Sequence, residues 1–130
     1  MDTALWIIAG ILAVAFSIGG IVKLTVPKET FAAKGGAAAK WTEDFSSAGF
    51  KRLGVLELLG GLGLVLPAMV GIGPILVPFA ALGMTMYMTG AATTRILRHE
   101  PVSAIAGDLL FIVLTIFLVW GRFSAVPFEA

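Results

Sequence analysis

The chain has 130 residues, of which 58% are hydrophobic and only 13% charged, and its net charge is +1. A soluble domain carries about a quarter charged residues, so this balance points to the bilayer; a mean hydropathy of +1.00 agrees. The near-neutral charge gives no electrostatic basis for nucleic-acid binding. The absence of cysteine excludes disulfides, thiolate metal sites and redox chemistry on the chain's own thiols.

At about 20 residues per span, this length holds at most about four or five transmembrane helices. The opening run MDTALWIIAG lacks a basic leader region and stays apolar to Val22, so it reads as an uncleaved first span over residues 4–23. Ala9, Ala13 and Ser17 are spaced four apart and form a small-residue ridge for close packing on a neighbouring helix. Pro27 stops that helix. Residues 24–50 form the one long polar stretch. Within it, residues 28–34 suit a short interfacial helix broken by Gly35-Gly36, and Trp41, Phe45 and Phe50 interleave with charge, as in segments at the head-group level. The stretch reads as a surface-hugging amphipathic connector, with a lid over the helix ends as the alternative.

The second span covers residues 53–70 and contains Gly54, Gly60, Gly61 and Gly63, which let membrane helices approach closely. Pro67 ends or kinks it. The third span covers residues 74–96, and its stripe of Met84, Met86, Tyr87 and Met88 reads as packing. Arg95, Arg98, His99 and Glu100 then make a tight polar turn closed by Pro101, with His99 solvated. The fourth span covers residues 102–120 and is apolar except for Asp108. The expected fold is therefore all-α: a polytopic membrane protein with an antiparallel four-transmembrane-helix bundle, one domain over residues 1–130. Lys23, Lys28, Lys34, Lys40, Lys51 and Arg52 flank the first connector and Arg95 and Arg98 the third, whereas the opposite side has Arg122 alone. The positive-inside rule then makes both basic connectors cytoplasmic and turns both termini outward.

Depth singles out the chemistry. Glu57 follows the Lys51-Arg52 pair by six and five residues, which puts it roughly 9 Å inside the charged end of its helix at ~1.5 Å per residue. A carboxylate there costs on the order of 2.5–3.5 kcal/mol on insertion scales, so it needs a partner or a purpose. Asp108 lies at the same depth from the same side. Lys23 ends the first span, Arg52 opens the second and Arg95 ends the third. All four spans thus bring an ionisable group to one half of the bundle, under the long connector. One outcome is closed ion pairs, Glu57 with Arg52 or Arg95 and Asp108 with another cation. The other is a cavity in which Lys23, Trp41, Arg52, Glu57, Arg95 and Asp108 bind a small molecule, with Glu57 and Asp108 as candidate acid and base. A single histidine without cysteine argues against a haem or zinc site, so no metal is expected. Gly60-Gly61-Leu62-Gly63 lies within a span and is not a phosphate loop.

The order Lys23-Leu24-Thr25, Trp41, Arg52-Leu53-Gly54-Val55-Leu56-Glu57, Gly60-Gly61-Leu62-Gly63-Leu64, Pro67, Ala80-Ala81-Leu82-Gly83, Gly90-Ala91-Ala92, Arg98 and Glu100 resembles the DoxX-like family of small four-helix bacterial membrane proteins. The resemblance covers nearly the whole chain. It departs where family members carry T-H-L-R-R-G-E: here Thr94 is followed by Arg95-Ile96-Leu97-Arg98-His99-Glu100, so Arg95 replaces the histidine. The resemblance implies a bacterial cytoplasmic membrane and a redox-associated role, with a quinone as the small apolar ligand and a redox partner subunit or a second copy of the chain beside it. Two alternatives stand next to that expectation. One is a membrane-embedded acid-base enzyme, an isomerase, cyclase or epoxide-opening enzyme, using Glu57 and Asp108 on a lipophilic substrate. The other is a non-catalytic scaffold or assembly subunit amid membrane lipids, whose charges are only interhelical ties.

Overall fold

A computed structural model describes residues 1–128; Glu129 and Ala130, the end of the expected domain, lie outside the described residues. Four helices in it are long and apolar enough to cross a membrane, at residues 2–25, 47–69, 76–97 and 102–125. Among the described residues there is no strand.

Helix α1 (Asp2–Thr25) ends where Val26 is extended (φ −95°, ψ 129°), the conformation forced on a residue before proline. Helix α2 (Lys28–Gly35) follows Pro27 and stops at Gly36, whose φ of 57° and ψ of −127° suit glycine alone. A 3-10 segment (Gly36–Asp44) then bends at Ala39. Here the structure corrects the expectation of a surface-hugging connector. The segment folds over the helix ends and buries Ala39, Trp41 and Thr42, while Trp41 stacks on Phe50 and meets Phe31 and Phe45 edge-on. The alternation of aromatic and charged residues marks the inner and outer sides of a cap.

Helix α3 (Ser47–Gly63) begins six residues before the expected start because Ser46 Oγ accepts the Gly49 N–H at 3.0 Å and caps it. It breaks at Leu64-Val65, ahead of the short α4 (Leu66–Met69), and not at Pro67 itself. Pro67 has no N–H to offer and its ring crowds the Gly63 carbonyl, so the distortion falls on the preceding turn. There the N–H groups of Leu64 and Val65 tighten onto Gly61 and Leu62. Helix α5 (Leu76–Leu97) ends in a Schellman turn: Glu100 N–H donates to the Arg95 carbonyl, His99 N–H to that of Ile96, and His99 takes φ 53°. Helix α6 (Val102–Trp120) runs into one wide turn at Gly121–Ala125.

Two close pairs, α1 on α3 and α5 on α6, make the bundle, and thinner α3–α5 and α1–α6 seams join them. The α1–α3 approach is set by missing side chains: a Cβ on Gly20 would come within 2.7 Å of the Gly54 carbonyl oxygen. Ala13 and Ser17 of the expected ridge lie against Gly61 in the same seam. Between α5 and α6, Thr85 donates to Thr115 at 2.9 Å.

The apolar core includes Leu5, Leu12, Phe16, Leu64, Met84 and Leu118. At the end carrying the chain termini, buried Arg122 pairs with Asp2 at 2.8 Å and donates to the Val126 carbonyl at 3.0 Å. Outward faces are apolar too, with Ile7, Ile11, Val14 and Ile18 aligned along one exposed stripe of α1. Such a surface suits acyl chains and not water.

Candidate functional site

Beneath the cap, where the four helices and the 3-10 segment converge, lies a cavity of about 420 Å³. Its walls are mostly apolar, with Phe16 and Phe111 packed on each other on one side and Met86 and Met88 on another. The polar groups gather at the cap end. Lys23 reaches from α1 to Glu57 on α3, with Nζ to Oε2 at 2.5 Å, and Tyr87 on α5 donates its hydroxyl to the same oxygen at 3.1 Å. The Glu57 side chain fits because Gly19 leaves room for it; a Cβ at that position would overlap the carboxylate. The Lys23 ammonium also lies 5.7 Å from the Trp41 ring centroid, within cation–π range.

Arg95 forms a second centre. Its Nη1 bonds to Glu100 at 2.7 Å and to the Ala38 carbonyl at 2.8 Å, while its Nε sits 2.8 Å from Asp108 Oδ2 on α6. Glu100 in turn accepts the Trp41 backbone N–H at 2.7 Å, so one carboxylate ties the cap to the end of α5. The contact between Arg95 Nε and Asp108 is close but misaligned for a hydrogen bond. Both atoms, with the Trp41 indole nitrogen, are therefore buried without a hydrogen-bond partner. Arg95 Nε and Asp108 Oδ2 still hold each other as an ion pair, whereas the Trp41 indole nitrogen has no partner of either kind, and a buried group left so costs about 1–3 kcal/mol. A ligand can take that donor directly, and the arginine and aspartate atoms by parting their ion pair.

Of the residues singled out in the sequence, Lys23, Trp41, Glu57, Arg95 and Asp108 all line this cavity. Arg52 does not. It is exposed, and Glu57 pairs with Lys23 in place of Arg52 or Arg95. The reason is angular: five residues along an α-helix, at 3.6 per turn, rotate a side chain by roughly 140°, so Arg52 and Glu57 share a depth region but not a face. His99 is exposed, as expected of a turn residue. Among the described residues no cluster of histidine and carboxylate side chains has the makings of a metal site. Tyr87 and Glu100 were missed as members of the cluster. Tyr87, Ala91 and Arg95 follow one another at intervals of four, which puts the tyrosine on the arginine's face, and that spacing was the available signal.

A family model described as DoxX-like family matches residues 7–118. The chain belongs to the DoxX-like family. Membership and the four apolar helices together make this an integral membrane protein. No curated protein and no solved structure matches the chain. In this DoxX-like protein the family match spans all four transmembrane helices in whole or large part, and it includes every residue of the polar cluster.

Proposed function

We propose that this DoxX-like protein binds a small apolar, oxygen-bearing ring of the quinone class in the capped cavity, as a subunit of a redox assembly in the bacterial cytoplasmic membrane. The observation that carries the proposal is the union of an apolar chamber with a few convergent, incompletely satisfied polar groups. A volume of about 420 Å³ falls inside the range of about 300–1,000 Å³ typical of small-molecule sites.

The donor set fits such a ring. Quinone oxygens accept hydrogen bonds, and the Trp41 indole is a buried donor that lacks an acceptor; Arg95 Nε and Asp108 Oδ2 form an ion pair without hydrogen-bond alignment, so a ring oxygen could take the arginine donor and the reduced ring's hydroxyl could donate to the aspartate. Lys23 and Tyr87, both already turned toward Glu57, would add a second set of polar groups at the same end. When bound, a quinone supplies reversible uptake of electrons and protons. The chain's own share is to bind, orient and shield: the aromatic cap of Phe31, Trp41 and Phe50 covers the polar end.

Trp41 provides the assay. Trp6 and Trp120 lie outside the cavity lining, so a Trp6→Phe/Trp120→Phe protein reports from Trp41 alone. Quinone titration should quench that fluorescence saturably, and Arg95→Gln should weaken binding by about tenfold, about 1.4 kcal/mol. Linear, non-saturating quenching in both proteins would remove the proposal.

A further inference from the structure

The cavity shares a wall with the outside of the α3–α5 seam. A groove of about 530 Å³ runs along the outside of that seam, and Met86 and Tyr87 line both spaces. Its walls are wholly apolar apart from Tyr87: Leu56 and Leu59 from α3, and Ala80, Gly83 and Met86 from α5, over a floor where Gly60 packs tightly on Met84. Tyr87 borders both environments, with its hydroxyl on Glu57. Met86, 69% exposed, stands at the junction as a flexible, unbranched side chain. Gly83 leaves open space where a side chain would stand, with no atom within 4 Å of a Cβ built there.

We infer that the ligand is an amphiphile with an apolar chain, that it reaches the cavity sideways from the bilayer between α3 and α5, and that its chain stays in this groove while its ring lies under the cap. The inference rests on ring binding in the cavity and adds the chain and the route. The shared wall decides the occupant. An annular phospholipid would keep its head group at the bilayer rim, whereas this groove abuts a buried polar chamber across Tyr87 and the flexible Met86. A free water-soluble ring would have no use for a lipid-facing channel. Access through the cap is blocked by the aromatic stack and by the ties of Arg95 to Ala38 and Glu100 to Trp41.

The test uses the protein with Trp41 as its single tryptophan, reconstituted in phosphatidylcholine nanodiscs. Two probes are compared at matched mole fraction in the lipid: a decyl-substituted benzoquinone and the same ring without the chain. Gly83→Phe fills the groove without touching the cavity and should weaken the decyl quinone by about tenfold, leaving the chain-free ring unchanged. Leu59→Phe narrows the groove from the α3 side and should act in the same direction. Gly10→Phe, on a part of α1 where a Cβ also meets nothing, should change neither probe. Equal binding of the decyl quinone to wild type and both groove variants overturns the route while leaving ring binding intact. So does an equal loss for both probes. No saturable binding of either probe to wild type removes the ring site and this inference with it.

Discussion

Gly19 and Glu57 carry the tightest constraint in the cluster. The α1 backbone lies directly against the Glu57 carboxylate, so a methyl group at residue 19 has to displace it. Gly19→Ala should therefore cost about 1–3 kcal/mol, as overpacking does in tight cores. Gly10→Ala, where a Cβ meets nothing within 4 Å, should cost none. Thermal unfolding in detergent compares the two. The Lys23–Glu57 pair is open to the same measurement, since its side chains are only 11% and 10% exposed. Removing one partner of a buried pair strands the other, so Lys23→Met and Glu57→Gln should each destabilise. The double variant should recover part of the loss, with a coupling of about 0.5–3 kcal/mol. An additive cycle would show that the 2.5 Å contact contributes nothing to the fold.

The connector acts as an element, held by an inner and an outer set of ties. Inside, Glu100 holds the Trp41 backbone and Arg95 holds Ala38. Outside, Arg98 bonds to Glu43 at 2.8 Å and to Asp44. The hydrogen bond from Arg98, with its charge, holds the Asp44 carboxyl below its ordinary value of 3.8 against a smaller opposing effect of desolvation. A carboxyl lowered in the folded state stabilises fully above its unfolded pKa, and that share is lost as pH falls through the folded value. The protection factor for amide exchange over residues 36–45, taken against the intrinsic rate at each pH, should thus be high at neutral pH and fall below about pH 4. Arg98→Ala should lower it at neutral pH and remove the acid-dependent step. Because these pairs are exposed, added salt should have part of the same effect. A protection factor that ignores both pH and the substitution would leave the cap held by its aromatic underside alone.

For the whole molecule the open quantity is orientation, and the charge distribution argues for one answer. Lys34, Lys40, Lys51 and Arg52 are exposed at the capped end, whereas Arg122 at the other end is buried and paired with Asp2. The positive-inside rule then predicts a cap facing the cytoplasm. A chain without cysteine suits single-cysteine labelling. In intact bacterial cells an impermeant maleimide should modify Ile72→Cys, on the exposed link before α5, and spare Lys40→Cys until the membrane is opened. The reverse pattern would turn the bundle over and put the cavity in the outer half of the bilayer.

Hydropathy alone determined four spans, because a run of about 20 apolar residues has no other solvent to prefer. Depth along each helix was legible as well, since rise per residue is constant, and it named Lys23, Glu57, Arg95 and Asp108 as neighbours in level. Azimuth was also present in the spacing of Gly54, Glu57 and Gly61, all buried on the inner face of α3, and it would have excluded Arg52. Partner choice was not. Which cation meets Glu57 depends on how closely α1 approaches α3, and that follows from Gly19, Gly20 and Gly54 interlocking across the seam. The cap and the cavity beneath it likewise required three dimensions. Trp41 and Glu100 are 59 residues apart in the chain, and only the closing of four helices into one bundle brings backbone donor and carboxylate together.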